Sequence, residues 1–462
     1  FVLSNGGCVR YKVFDYNTNW FEAKNCLDVL QQLRAELPEG ERHRLAIELA
    51  VPVDKSPNYI SDYLMEGAKL RETFQKAAEV GGNTVSLKSM TVGIEKKDID
   101  AVSSALKSGW LAHGNFNKKF EDQFIKLHKV KKAITLNSCT AALDLALRSH
   151  NFPKNSEVIL PSFTWTSTAN VVCLNNLKPV FVDINYDDFQ INPNLVEKSI
   201  SKKTVAVIGV HFSGLMCDVI RLKKICDKYK LIFIEDSAEC IGVSRDGFFP
   251  GQKGIGCFSF YPTKNITTCE GGILTFNDNK RKIHEKAKAL SAHGILKHTI
   301  ERSSGKKEFW HREATYPGFN YRMPNPLAAL GLSQIRRIKD MLSKRKKIAK
   351  VYDDFLNNYS FIHLPSYYSS KGESSYQMYT FHLRKGKKNI IIKSLNKNGI
   401  EASSHFDPPL HKQKAYLHHY KSPFPLIVTE KVSKNIVSLP MSSSMNIKDA
   451  YRVTKELKKI FG

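Results

Sequence analysis

The chain has 462 residues, 42% of them hydrophobic, enough to bury a large core and to form at least two domains. Its 70 Lys and Arg against 44 Asp and Glu give a formal net charge of +26, a balance that attracts polyphosphorylated small molecules, nucleic acid or anionic surfaces. No apolar run approaches the roughly 20 residues of a membrane helix, and the nine cysteines are scattered with no C-x-x-C pair, which argues against a disulfide framework and against bound zinc.

The opening residues, FVLSNGGCVRYKVF, lack the basic start, apolar middle and small-residue cleavage site of a signal peptide, so a cytoplasmic protein with reduced thiols and no metal is expected. From Phe1 to Lys88 there are 11 Lys and Arg against 12 Asp and Glu, so the basic excess lies further on and Gly81-Gly82 marks a boundary. Helix-like spacing over Glu41 to Ala50 and Ser61 to Ala78, with Pro52 and Pro57 between, predicts a mainly helical appendage over residues 1–85.

From about Val92 helices alternate with short β-branched strands. Ile94 to Leu106 reads as a helix, Ala133 to Leu136 as a strand and Thr140 to Arg148 as an amphipathic helix. Strand-like runs follow at EVILP, PVFVDI, TVAVIGVHF, LIFIED, CFSFYP and GILTF, with a helix at Val219 to Lys228. The alternation predicts an α/β fold class, with a large, mostly parallel sheet domain over residues 86–340. Ligands of such sheets gather at the carboxyl ends of the strands and at helix starts. One long basic helix from Pro326 to about Leu356 leads into residues 341–462. There YTFHLRK, a helix over Ile390 to Asn398 and a terminal helix over Ile447 to Ile460 predict a smaller C-terminal α+β domain. The basic runs RLKKICDKYK and KRKKIAK fit a solvated helix face.

Three stretches carry chemistry. LIFIEDSAEC ends a buried strand in acids and places Asp236 where a cofactor would lie, although an Asp after a strand also caps helices. In LNSCTAALDLAL, Ser138, Cys139 and Thr140 follow a strand and open a helix, whose free N–H groups and positive end suit a phosphate. In CFSFYPTKNITTCEGGIL, Lys264 sits in a segment that reads as buried. Loss of solvation there would keep the amine neutral and nucleophilic, whereas a snorkelling or ion-paired lysine is the plainer reading of that segment alone. Together they supply a lysine for a Schiff base, an acid for a protonated ring nitrogen and a helix start for a phosphate. Those are the needs of pyridoxal 5′-phosphate.

The blocks SGWLAHGNFNKKFE, NSCTAAL, PSFTWTSTANVV, PVFVDI, VHFSGLMCD, IEDSAE, FSFYPTKNITTCEGG, GFNYRMPNPLAALGLSQI, HFDPPLH and SLPM come in the order found in a known family. From about Ser86 to Gly462 the chain resembles the sugar aminotransferase family named after DegT, DnrJ and StrS, of the fold-type I pyridoxal phosphate enzymes. The resemblance implies Lys264 as the cofactor-bearing lysine and Asp236 as partner of the ring nitrogen. It implies Ser138, Thr140 and Ser259, with the backbone of Cys139, at the phosphate, and Trp165 on the ring face. Asn320 would reach the phosphate held by a neighbouring subunit, which makes the active unit a homodimer. Glu239 stands where many relatives carry Gln beside the ring oxygen, so it should be protonated, turned away or used on substrate.

The family converts nucleotide-linked keto sugars to amino sugars for glycan or surface polysaccharide biosynthesis, usually with glutamate as donor. KNITTCEGG is most similar to enzymes acting at C4 of a pyranose. His211, Arg322, His405 and His411 are candidates for substrate contact, as is His293, while a core role for His211 and carboxylate pairing for Arg322 stay open. Two related readings are amination of a 3-keto sugar and removal of a sugar hydroxyl, the latter typical of relatives with histidine at the lysine position. A different class is a non-catalytic binder of nucleic acid or other anions on the same fold. No RNP-like, zinc or helix-turn-helix signature supports nucleic acid, and no membrane partner is expected.

Overall fold

The computed structural model describes residues 93–277, 281–296, 313–366 and 372–462, together with two strands near the start. The chain separates into Phe1–Tyr63 and Leu64–Gly462. In the first unit β1 (Tyr11–Phe14) pairs antiparallel with β2 (Trp20–Ala23), with Phe14 opposite Trp20. Their aromatic and β-branched residues favour extended backbone, and Asp15, Asn17, Thr18 and Asn19 between them are turn formers. The appendage read as mainly helical thus contains a pair of antiparallel strands. Its expected helices, Glu41 to Ala50 and Ser61 to Ala78, lie outside the described residues.

The second unit is α/β. Helices α1 (Lys96–Lys107) and α2 (Asn115–His128) precede β3 (Lys132–Leu136) and α3 (Cys139–Arg148). Then come β4 (Glu157–Pro161), α4 (Thr166–Leu174), β5 (Lys178–Val182), α5 (Pro193–Lys198), β6 (Thr204–Val210) and α6 (Val219–Lys228). β7 (Ile232–Asp236), β8 (Ile255–Ser259), β9 (Gly272–Phe276) and α7 (Arg281–Leu290) complete the layer.

The seven strands stand in the order β3-β9-β8-β7-β6-β4-β5, parallel from β5 to β8 and antiparallel where β9 meets β8 and β3. Both faces are covered, so the strands are apolar almost throughout. Period-two alternation divides them between two cores. Val158 and Leu160 of β4 join a core with α3 and α4, while Ile159 joins another with α6. The strand order reverses beside β4 and β6, and the carboxyl ends of β6, β7 and β8 open on one edge.

The expected single helix from Pro326 to Leu356 is two helices, α8 (Asn325–Ile335) and α9 (Ile338–Leu356). The break has an electrostatic cause. Arg337 turns inward, is 9% exposed, and pairs with Glu95 and Asp98 at the start of α1 while donating to the Gly93 carbonyl. α9 then links two cores. Ile338 and Met341 pack with Phe120, Phe124 and Phe260, whereas Ile348, Tyr352 and Leu356 pack around a second sheet. That sheet is antiparallel, with β10 (Ile362–His363), β11 (Tyr379–Leu383) and β12 (Ile436–Leu439) in that order. Helices α10 (Lys388–Lys397) and α12 (Ile447–Phe461) supply the apolar residues that cover it, and α11 (Ile427–Asn435) leads into β12.

One close approach fixes the rim of the large sheet. Gly272, first residue of β9 and opposite Leu136, lies so near the start of α3 that a Cβ there would come within 2.5 Å of the Ser138 carbonyl and 2.6 Å of the Cys139 nitrogen. Real Cβ atoms do not approach backbone this closely, so Gly272→Ala must displace the turn at Ser138. The expected result is a fall in melting temperature and at least about a ten-fold loss in affinity for inorganic phosphate or pyridoxal phosphate, read by calorimetry, corresponding to about 1.4 kcal/mol.

Candidate active site

The carboxyl ends of β7 and β8, the start of α3 and the turn after β8 enclose a cavity of about 610 Å³. At one end Ser138 caps α3, its Oγ accepting from the Ala141 N–H at 3.1 Å, and its carbonyl accepts from Ala142. The N–H groups of Cys139 and Thr140 fall in the first turn, where no intrahelical carbonyl can meet them. The Thr140 and Ser259 side chains line the same end. Burial pushes the Cys139 thiol well above its ordinary pKa, so it is neutral, and its backbone is the useful group.

Asp236 is the last residue of β7 and faces this cavity, 5% exposed. Burial pushes its pKa up. Against that, Thr168 donates its hydroxyl to Oδ2 at 2.7 Å and the Ala238 N–H donates to Oδ1 at 3.2 Å. The nearby Glu239 raises the pKa further and Lys264 lowers it. Thr168 was missed by sequence reasoning although it lies within the quoted block PSFTWTSTANVV. Its partner is 68 positions away, and a hydroxyl in a helix gives no sign of which acid it serves.

Lys264 lies in the stretch between β8 and β9. It sits in the turn after β8, half-buried, with its N–H bonded to the Tyr261 carbonyl. Its Nζ stands 3.4 Å from Oε1 of Glu239, whose Oε2 accepts the Ser213 N–H at 2.7 Å. Glu239 is therefore turned toward the lysine. Trp165, which precedes α4, is 61% exposed and forms one wall, with the Phe406 ring 6.2 Å from its own. His405 lines the cavity, holds Ser438 Oγ through Nδ1 at 2.8 Å and has its pKa lowered by burial, which favours the neutral ring.

Other candidates fall elsewhere. His211 is wholly buried outside the cavity. It receives the Cys217 N–H at Nδ1 (3.3 Å), so its Nε2 carries the proton donated to Glu235 at 3.1 Å. It is a core histidine, not a substrate contact. His411 is also turned away, bonded to Ser162 Oγ at 2.7 Å and to Glu430 at 3.1 Å, and it anchors its own loop against the end of β4. Asn320, Arg322 and His293 form a separate group. Arg322 donates to Asn320 Oδ1 at 3.0 Å and meets His293 Nε2 at 3.2 Å, and among the described residues no carboxylate pairs with it. None of the three lines this chain's own cavity.

The donors present match pyridoxal phosphate in kind. Hydroxyls and helix-start N–H groups converge at one end, a buried carboxylate and a lysine amine stand beyond them, and an aromatic wall flanks the space. A volume of about 610 Å³ leaves room for a second ligand part.

Residues 92–458 match the DegT/DnrJ/EryC1/StrS aminotransferase family. The chain belongs to that family. It is an aminotransferase that uses pyridoxal phosphate. It is 32% identical over 386 residues to the UDP-4-amino-4-deoxy-L-arabinose–oxoglutarate aminotransferase of Shewanella sediminis, covering 80% of this chain and 96% of that one. Among solved structures it resembles Helicobacter pylori PseC, an aminotransferase involved in the biosynthesis of pseudoaminic acid, with a TM-score of 0.75 and 28% identity over 81% of this chain and 99% of the other. A putative sugar aminotransferase of Streptococcus pneumoniae, Spr1654 in its PMP form, gives a TM-score of 0.75 and 28% identity over 82% and 98% of the two chains. Among the described residues no helix is long and apolar enough to cross a membrane.

The hydroxyl on Asp236 is directly testable. Thr168→Val keeps the shape and removes the donor, which leaves a buried carboxylate oxygen without its partner. The expected outcome is a roughly ten-fold weaker hold on pyridoxal phosphate by fluorescence titration, with restoration in Thr168→Ser.

Proposed function

We propose that the enzyme transfers an amino group from glutamate to a keto sugar carried on a nucleoside diphosphate, a 4-keto pyranose, for glycan biosynthesis in the cytoplasm. The observation that carries this reading is the convergence of Lys264, Asp236 and the helix start at Ser138 on one cavity whose volume exceeds the needs of the cofactor. The similarity to an aminotransferase named for a 4-amino-4-deoxy sugar on UDP supports the choice of C4. The net charge of +26 suits a substrate with two phosphates.

In this reading Cys139 and Thr140 offer N–H groups, and Ser138, Thr140 and Ser259 offer hydroxyls, to the cofactor's phosphate. Asp236 holds a proton on the ring nitrogen. When bound, the ring supplies an electron sink for the pair released at the carbon beside nitrogen. Lys264 would hold the cofactor through Nζ and, when free of it, would carry a proton between carbon atoms on that nitrogen. Trp165 restrains the ring from one face and keeps water from it. His405 presents a neutral Nε2 to the sugar.

The reading also makes the enzyme a homodimer. Asn320 and Arg322 lie away from their own cavity, and Asn325, three residues after Arg322, donates to the carbonyls of Trp110 and Leu111, whose side chains are 38% and 51% exposed. A second copy would cover these apolar side chains and receive Asn320 at its phosphate end.

Two outcomes check this. Incubation with glutamate and a panel of 4-keto and 3-keto nucleotide sugars should give an amino sugar from a 4-keto member, identified by mass and NMR. Amination of none contradicts the substrate assignment. Lys264→Ala and Asn320→Ala subunits, each inactive as purified, should regain activity when mixed and allowed to exchange, because one site of the mixed dimer then carries both residues.

A further inference from the structure

We propose that Glu239 is the acid–base partner of Lys264: it takes the proton from Nζ so that the amine can attack the cofactor's aldehyde, and returns it to the oxygen that leaves as water. The inference concerns cofactor loading alone and holds whichever keto sugar is used.

Glu239 is held at its carboxylate and at its backbone carbonyl. The Ser213 N–H holds Oε2 at 2.7 Å, and Ser213 stands at φ +61°, a left-handed conformation uncommon for a residue with a side chain. Gly214 follows at φ +88°, where a Cβ would lie 2.3 Å from Ser375 Oγ. That same Ser375 hydroxyl donates to the Glu239 carbonyl at 2.8 Å. With Oε2 and the backbone held, Oε1 is left to face Nζ at 3.4 Å.

The lysine is fixed by the same segment. Asn265 donates to the Ser375 carbonyl at 3.0 Å, and Gln377 donates to the Thr263 carbonyl at 3.1 Å, so both neighbours of Lys264 are tied to residues 375–377. The pair is thus set in register by one strap. Asp236, Glu270, Glu401, His405, Tyr261 and Cys139 also line the cavity, but Glu239 is the carboxylate that hydrogen-bonds Nζ among the described residues.

The step balances without an added reagent. One Nζ proton passes to Oε1, the freed pair on Nζ forms a bond to the aldehyde carbon, and a second Nζ proton moves to the carbonyl oxygen, which becomes a hydroxyl. Glu239 then protonates that hydroxyl, the C–O bond breaks, water leaves and the C=N bond closes. One amine and one aldehyde give one C=N linkage and one water, with no oxidation. Proton exchange within the pair does not depend on bulk hydroxide, so loading should vary little with pH.

The test uses cofactor-free full-length protein mixed with pyridoxal phosphate in a stopped-flow spectrophotometer between about pH 6 and about pH 9, following the covalent chromophore. The native chain should load at a nearly constant rate. Glu239→Gln should load at least roughly ten-fold more slowly at the acid end, rise about tenfold per pH unit, and reach the same final absorbance. A glutamine variant that loads as fast or faster at the acid end overturns the proposal, because the carboxylate then merely restrains the ammonium. Should that variant not hold the cofactor, Glu239→Asp carries the test. A flat profile upholds the proposal, and one rising about tenfold per pH unit contradicts it.

Discussion

Asp236 is a carboxylate taken out of water at the end of a parallel strand, and the site is arranged around the cost of placing it there. Burial disfavours its charge, and the Thr168 hydroxyl and Ala238 N–H offset part of that cost. What remains is best met by a protonated nitrogen in the cavity. The alternation of β7 makes this possible. Glu235 and Asp236 are adjacent, yet they point to opposite faces. Glu235 is drawn to His211 and to the N–H groups of Gly251 and Gly254, which closes the loop behind the strand. Asp236 is left for the cavity. Pairing with β8, where Asp236 stands beside Cys257, then carries Ser259 and the Lys264 turn to the same rim.

A buried cation ties the second core to the segment that braces the site. Arg345 of α9, 3% exposed, donates to the carbonyls of Tyr376, Gln377 and Met441. It thereby holds the 375–377 segment that braces Glu239 and both neighbours of Lys264. All three bonds come from Nη1, so one end of the guanidinium gathers the segment. α9 starts in the core of the large sheet and ends in that of the small one, so the position of Arg345 follows from both.

Much of this was legible in the residues. Apolar runs ending in polar residues gave the strands and their carboxyl ends, and Asp236, Ser138 and Lys264 all meet in the cavity they imply. Contacts between distant polar groups were not legible. His211 looked available at a strand end, but Glu235 claims it. The helix from Pro326 gave no sign of a break, because Arg337 reads as one more basic residue until Glu95 and Asp98 stand beside it. For Lys264 the segment alone left a desolvated amine and an ion-paired lysine both open, and nothing near it in sequence pointed to Glu239, 25 positions away, as the group its Nζ meets. Composition and periodicity report what is buried. They do not report which buried polar group answers which.

The central claim is that Lys264 carries the cofactor, and peptide mapping tests it most directly. The protein loaded with pyridoxal phosphate is reduced with borohydride, digested and read by mass spectrometry. The account predicts one stoichiometric pyridoxyl adduct, on Lys264, with loss of the visible absorbance band. An adduct spread over surface lysines, or none on the peptide from Cys257 to Leu274, would contradict it.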